Sequence, residues 1–258
     1  MISLAMIVKN EQNRIARAIG SVRDCVGEVI VVDTGSTDGT RRKAEELGAT
    51  VLDYPFRGDF SAARNVSIEV CRGDWILCLD ADEFFLFSPQ AMLEAATDKT
   101  ICDEPNAYKG YYLLRQNHEH SGQELSYSDY VLRLFRNRPG VHFTHHVHET
   151  LEESLDSMDG KYGRLTAMPI VHYLFERDAA YLEGKHQAYV EGLLKDIGQR
   201  PADASRYDFL GCEYLRLGLL TEAESAFRKL LELDPGNAAG RESLETVVRL
   251  KQEFSGKN

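Results

Sequence analysis

Short apolar runs and helix-spaced stretches take turns through the first eighty residues. Ile2 to Val8 reads as a buried strand, ended by Lys9-Asn10-Glu11, after which Ile15, Ala18, Ile19 and Val22 recur at helical spacing. Glu28 to Asp33 is a β-branched strand that closes on a carboxylate. The small polar loop Thr34-Gly35-Ser36-Thr37-Asp38-Gly39-Thr40 follows, then a helix through Leu47 with Gly48 as its stop. Ala49 to Leu52 is a third strand, Ser61 is placed to cap a helix through about Cys71, and Trp75 to Leu79 is a fourth strand. Four alternations of strand and helix predict a parallel sheet covered on both faces.

In such sheets ligands bind outside the carboxyl ends of the strands. Three polar clusters fall at those ends: Lys9-Asn10-Glu11, Asp33 with its loop, and Asp80-Ala81-Asp82. Two aspartates at i and i+2 on a strand exit can meet one hard cation through oxygen ligands. Taken alone, an Asp-x-Asp is more often a solvated acidic turn. The convergence of three distant clusters on one crevice is what argues for a site.

Beyond Glu83 the alternation loosens. Ser88-Pro89 marks a helix start. Tyr108 to Leu114 and Tyr130 to Phe135 read as antiparallel strands, with Arg115 to Asp129 between them as a polar binding loop. Val141 to Glu149 carries His142, His145, His146 and His148; on a strand, His146 and His148 would share a face and His145 would oppose them. Ile170 to Tyr173 is a further strand, bearing His172. From about Asp178 the pattern is helical throughout. Residues 204–237 fit one tetratricopeptide repeat, with Tyr207, Gly211, Tyr214, Gly218, Ala223, Phe227 and Pro235 at its positions. One repeat cannot bury its own apolar face, so flanking helices near 181–197 and 239–251 must pack on it, either as a stabilising appendage or as a docking surface. The expected division is an α/β domain over 1–177 and a helical region over 178–258.

Composition narrows the function classes. The chain has 258 residues, and 43% hydrophobic with 28% charged residues is ordinary for a globular protein with a sizeable core. A formal net charge of −11 argues against a general nucleic-acid binder or a binder of anionic membranes. The five cysteines lack a Cys-x-x-Cys pair and read as reduced, which points to a cytoplasmic protein. No basic segment precedes the first apolar run, so no signal peptide is expected, and no run approaches the about 18 apolar residues of a membrane helix. Gly35-x-x-x-Gly39-Thr40 lacks the Lys-Ser/Thr ending of a phosphate loop; Gly-x-Gly-x-x-Gly and Gly-x-Ser-x-Gly are absent.

The segments 7–11, 31–40, 59–65 and 74–83 stand in an order that resembles family 2 glycosyltransferases, and Arg133 to Asn137 with His148-Glu149 resembles the branch that often carries tetratricopeptide repeats. The resemblance implies a GT-A fold, α/β with a mostly parallel, Rossmann-like sheet, followed by a small all-α region. It also implies a nucleotide-sugar donor, most often a UDP-sugar, with Mn2+ or Mg2+. By the same resemblance Asp33 binds the nucleobase, Val8 and Glu11 flank the nucleotide, and Arg64 lies near base and diphosphate. Asp80 approaches ribose and metal, and Asp82 binds the metal. Thr34 stands where the family usually has a second aspartate. Departure of a nucleoside diphosphate leaves charge that a divalent ion neutralises, and the acceptor hydroxyl needs a base. Glu149 is the candidate base and His148 the candidate third metal ligand, with His172 its rival. The implied function is a metal-dependent inverting transferase acting on a protein, peptide or glycan acceptor. The alternative is an inactive transferase-like scaffold that holds a partner protein through the helical repeat.

Overall fold

The leading apolar runs pair as their alternation predicts. In a computed structural model, which describes residues 1–98, 107–119, 124–174 and 179–255, β1 (Ile2–Val8) lies parallel to both β2 (Glu28–Asp33) and β4 (Trp75–Cys78), and β2 lies parallel to β3 (Thr50–Asp53). Four more strands follow: β5 (Glu83–Phe85), β6 (Tyr108–Glu119), β7 (Glu124–Arg136) and β8 (Lys161–Leu174). They complete an eight-stranded sheet in the order β3-β2-β1-β4-β7-β6-β8-β5. β7 runs antiparallel to β4 and β6, β8 runs parallel to β6, and β5 pairs antiparallel with β8.

Strand side chains alternate, so each strand feeds both faces. On one face Leu4, Met6, Val29 and Val31 pack with Ile15 and Ile19 of α1 (Ile15–Gly20), Ala44 of α2 (Thr40–Glu46) and Leu93 of α4 (Gln90–Thr97). On the other, Ala5, Ile30, Ile76 and Cys78 pack with Ile68 of α3 (Phe60–Glu69) and Leu155 of α5 (Glu152–Asp156). Helices therefore cover both faces of a mixed, mostly parallel sheet.

Several local expectations change. Asp59, not Ser61, caps α3: its side chain accepts from the Ala62 amide, and Ser61 sits inside the first turn. The polar stretch 115–129 is not a loop. β6 continues to Glu119 and β7 begins at Glu124, while residues 120–123 lie outside those described. The pair Arg115–Asp129, directly opposite in register, supplies the cross-strand attraction that lets so polar a sequence pair. Residues 141–149 are not a strand either. His145 and His148 have φ of 75° and 50°, in the left-handed region, so the alternation argument for these histidines does not apply.

The chain divides into two compact units, Met1–Thr144 with Glu149–Glu176, and His145–His148 with Arg177–Asn258. Among the described residues the second holds four helices: α6 (Ala179–Gln199), α7 (Ala204–Arg216), α8 (Leu220–Leu233) and α9 (Ala238–Ser255). The expected boundary at residue 178 lies outside the described residues. Ala223, Phe227, Leu230 and Val247 form this unit's core. Gly211 permits the approach of α7 to α8, since a Cβ there would lie 2.6 Å from the Phe227 ring. No helix among the described residues is long and apolar enough to cross a membrane.

Candidate active site

The sheet's carboxyl edge builds the site from its own strand exits. β2 ends at Asp33, and its Oδ1 accepts from the amides of Gly35, at 3.0 Å, and Ser36, at 2.7 Å. This Asx turn needs φ of 109° at residue 35, which glycine supplies without strain. Thr34 donates through Oγ1 to the Val8 carbonyl at 3.0 Å, tying the two strand exits together. Asn10, with φ of 57°, receives the Thr37 amide on its Oδ1, and the Glu11 amide donates to Thr40 Oγ1. The Glu11 carboxylate pairs with Arg14 at 2.7 Å. Val8, Glu11 and Asp33 are thus brought to one edge. Asp33 Oδ2 accepts no hydrogen bond among the described residues, so that oxygen is open to a ligand's N–H.

A second assembly follows β4. Arg64, buried on α3, donates from Nη2 to Asp80 at 2.7 Å and from Nε to Glu149 at 2.6 Å. Arg133 on β7 donates from Nη2 to Asp80 at 2.8 Å and to Glu83 at 2.7 Å. Burial pushes the Asp80 carboxyl up, but Arg64 and Arg133 outweigh it and hold the group far below the ordinary carboxylate range. Glu83 also receives Arg115 at 3.1 Å, and Arg115 bridges to Asp129 at 2.6 Å. Every carboxylate in the row meets at least one guanidinium, as burial requires.

Asp82 stands apart from that row. Its Oδ2 lies 3.6 Å from His172 Nε2. The other ring nitrogen of His172 meets Asn117 Oδ1 at 2.7 Å, and Asn117 Nδ2 donates to Asp129 at 3.0 Å. That chain fixes the tautomer. Nδ1 donates to Asn117, and Nε2 is turned toward Asp82. An imidazole oriented from behind and facing a carboxylate could supply two ligands to a borderline-hard divalent cation. Among the described residues no group of three or more His, Cys, Asp or Glu side chains is gathered to cage a metal. Asp82 and His172 would be the residues to hold a cation that takes few protein ligands.

The structure thus gathers Asp82 with His172, and Arg64 with Asp80 and Glu149. His148 belongs to the helical unit, stacked on Phe209 at 4.1 Å, with its Nε2 3.8 Å from Glu213. Glu149 is held by Arg64 through Oε1, and its Oε2 accepts no hydrogen bond among the described residues. Arg133, Glu83, Arg115, Asp129 and Asn117 had no role assigned from sequence. The alternation of Arg115 with Asn117 and of Asp129 with Arg133 on strands was the available signal. It is readable only once the β6–β7 register is known.

Known proteins resemble this chain in sequence and in fold. The model of the family described as Glycosyl transferase family 2 matches residues 3–155. A TPR repeat-containing protein of Synechococcus elongatus is 38% identical over 261 residues, covering 99% of this chain and 62% of that protein. An uncharacterized glycosyltransferase of Rickettsia felis is 36% identical over 154 residues, covering 60% of this chain and 54% of that one. The chain therefore spans under two thirds of the length of these curated relatives. Among solved structures, S. aureus TarS 1-349 in complex with UDP-GlcNAc aligns at a TM-score of 0.53 and 14% identity, covering 90% of this chain and 81% of that one, a likeness of fold.

Proposed function

This chain belongs to glycosyl transferase family 2, and from that premise we propose that it moves a sugar from a UDP-sugar to a hydroxyl of a protein, peptide or glycan acceptor, with inversion, using Mn2+ or Mg2+. The observation that carries the reading is the Asn117–His172–Asp82 chain, whose one nitrogen and one carboxylate beside the β4 exit would suit a cation. Asp82 and His172 would hold the ion, which when bound supplies Lewis-acid neutralisation of the departing diphosphate. Asp33 Oδ2 accepts an N–H of the base, as uracil offers, and Val8 and Glu11 flank the nucleotide. The UDP-GlcNAc of the TarS neighbour favours uracil.

Arg64 uses two of its five N–H groups on Asp80 and Glu149, and the rest are free to steady the diphosphate. Asp80, held anionic by two arginines, orients Arg64 and bounds the ribose side. Glu149 Oε2 takes the acceptor proton as the new C–O bond forms and the bond from the anomeric carbon to the phosphate oxygen breaks. The electron pair leaves with UDP.

The test is UDP release from a UDP-sugar panel with Mn2+ present. Glu149→Gln should cut kcat by about 100-fold or more, in the range of general-base removal, with KM for the donor little changed. Full kcat in that variant would remove Glu149 from the mechanism. An inactive scaffold makes no use of an oriented histidine facing Asp82, and no turnover with any donor would favour it.

A further inference from the structure

A cleft of about 260 Å3 opens beside Asp82, lined by Asn13, Arg14, Arg17, Phe84 and Tyr173 among others. That volume falls below the about 300–1,000 Å3 of pockets that hold a drug-sized ligand. It fits a small group, not a nucleoside. Its floor is aromatic: Phe84 on β5 and Tyr173 on β8 meet edge to face at 5.3 Å. These two strands are the edge pair farthest in sheet order from β2, where Asp33 sits.

Arg17 is the unusual residue here. Its guanidinium carbon lies 3.5 Å from the centroid of the Phe84 ring and 4.5 Å from that of Tyr173. Arg14, Arg64, Arg115 and Arg133 each have a carboxylate within 3.1 Å. Among the described residues Arg17 has none, in a chain of net charge −11. The two rings fix the guanidinium and leave its N–H edge unspent, so little side-chain entropy is lost when an anion binds. A planar fork held over aromatic rings at the wall of a small cleft suits a bidentate oxyanion.

We propose that this cleft is an acceptor subsite for an oxyanion, a phosphate or carboxylate borne by the acceptor, and that Arg17 determines that specificity. The inference rests on Asp82 being the metal residue of the transferase, which would put the oxyanion next to the reacting centre. An anion beside the Asp82 carboxylate is tolerated because Arg17, and the cation that Asp82 would hold, offset its charge.

The test uses three probes of similar size, glycerol 3-phosphate, lactate and neutral glycerol, titrated by ligand-observed NMR into the full chain. The Arg17 Nε–H resonance is followed in parallel. Wild type should bind one or both oxyanions and shift that resonance, while glycerol does neither; which oxyanion binds tells phosphate from carboxylate. Arg17→Gln, at an exposed position that tolerates change, should weaken oxyanion binding about tenfold or more, the scale of a charge-assisted bond. Saturating UDP with Mn2+ should leave the probe bound. Equal binding of glycerol, or an unchanged affinity in Arg17→Gln, overturns the proposal. Displacement of the probe by UDP also overturns it, because the cleft would then belong to the donor diphosphate. If UDP itself fails to bind, the transferase reading falls separately, and the probe titration without nucleotide still decides whether the cleft takes an oxyanion.

Discussion

Replacing Arg133 with methionine should destabilise the sheet far more than the loss of a surface ion pair. Arg133 donates to Asp80 at 2.8 Å and to Glu83 at 2.7 Å. The two acceptors differ in what they can fall back on. The Asp80 side chain is 33% exposed and keeps Arg64, so water and one arginine still serve it. Glu83 is 1% exposed and, among the described residues, keeps Arg115, at 3.1 Å, and its contact with the Asp80 amide. At an effective dielectric of about 20, two charges about 4 Å apart attract by about 4 kcal/mol, while the arginine's own desolvation is recovered when it is removed. Breaking a buried pair on one side costs about 3–5 kcal/mol, and the partners left to Glu83 put the value near 3. Urea unfolding followed by fluorescence of Trp75, the single tryptophan, reports on this sheet because Trp75 begins β4 opposite Arg136 of β7. With a slope of about 2 kcal/mol/M the midpoint should fall by about 1.5 M. The pH dependence gives a second signature. Folding holds the Asp80 pKa below its ordinary 3.8, so its contribution is full above that value and is lost as pH falls below it. The gap between wild type and variant should therefore narrow in acid. A loss under about 1 kcal/mol at pH 7, the size of an exposed pair, would refute the reasoning.

Asn117→Ala should weaken Mn2+ binding by about 10–100-fold, because His172 Nδ1 loses its acceptor; calorimetry with Mn2+ and UDP measures it, and an unchanged affinity would remove His172 from the metal site. Burial pushes the Cys71 and Cys78 thiols up to about 12 and about 11, so at pH 8 a thiol reagent mapped by mass spectrometry should leave both unmodified until the protein unfolds. Gly211→Ala should cost about 1–3 kcal/mol in the helical unit, because the new methyl meets the Phe227 ring and the helices must part; circular dichroism in urea would show it, and no shift would mean the contact is soft.

The first eighty-three residues were legible because period and chemistry coincided there. Apolar runs of strand length ended in polar clusters, and β1 to β4 formed with Asp33 and Asp80 at their exits. Legibility failed where polar residues form strands. Arg115 and Asp129 stabilise β6 and β7 by facing each other, and facing depends on a register that no single strand reveals. The histidines failed for a related reason. His145 and His148 take left-handed backbone, which only the fold enforces, and His148 then packs on Phe209 in the helical unit. His172 was visible as a rival metal ligand. Its orientation was not, since Asn117 reaches it from 55 residues away. The repeat-like spacing around Gly211 and Phe227 did carry over into contact, because helical neighbours are close in sequence.

If Asp82 and His172 serve a metal-dependent nucleotide-sugar site, as we propose, nucleotide affinity must respond to both the metal and Asp82. The most direct measurement is calorimetric titration of nucleoside diphosphates and nucleotide sugars, with and without Mn2+, into the wild type and Asp82→Ala. Uridine nucleotides should bind, binding should strengthen about tenfold or more with Mn2+, and Asp82→Ala should lose the metal-dependent part while the protein stays folded. Nucleotide binding indifferent to both Mn2+ and Asp82, or no binding of any nucleotide, would contradict it.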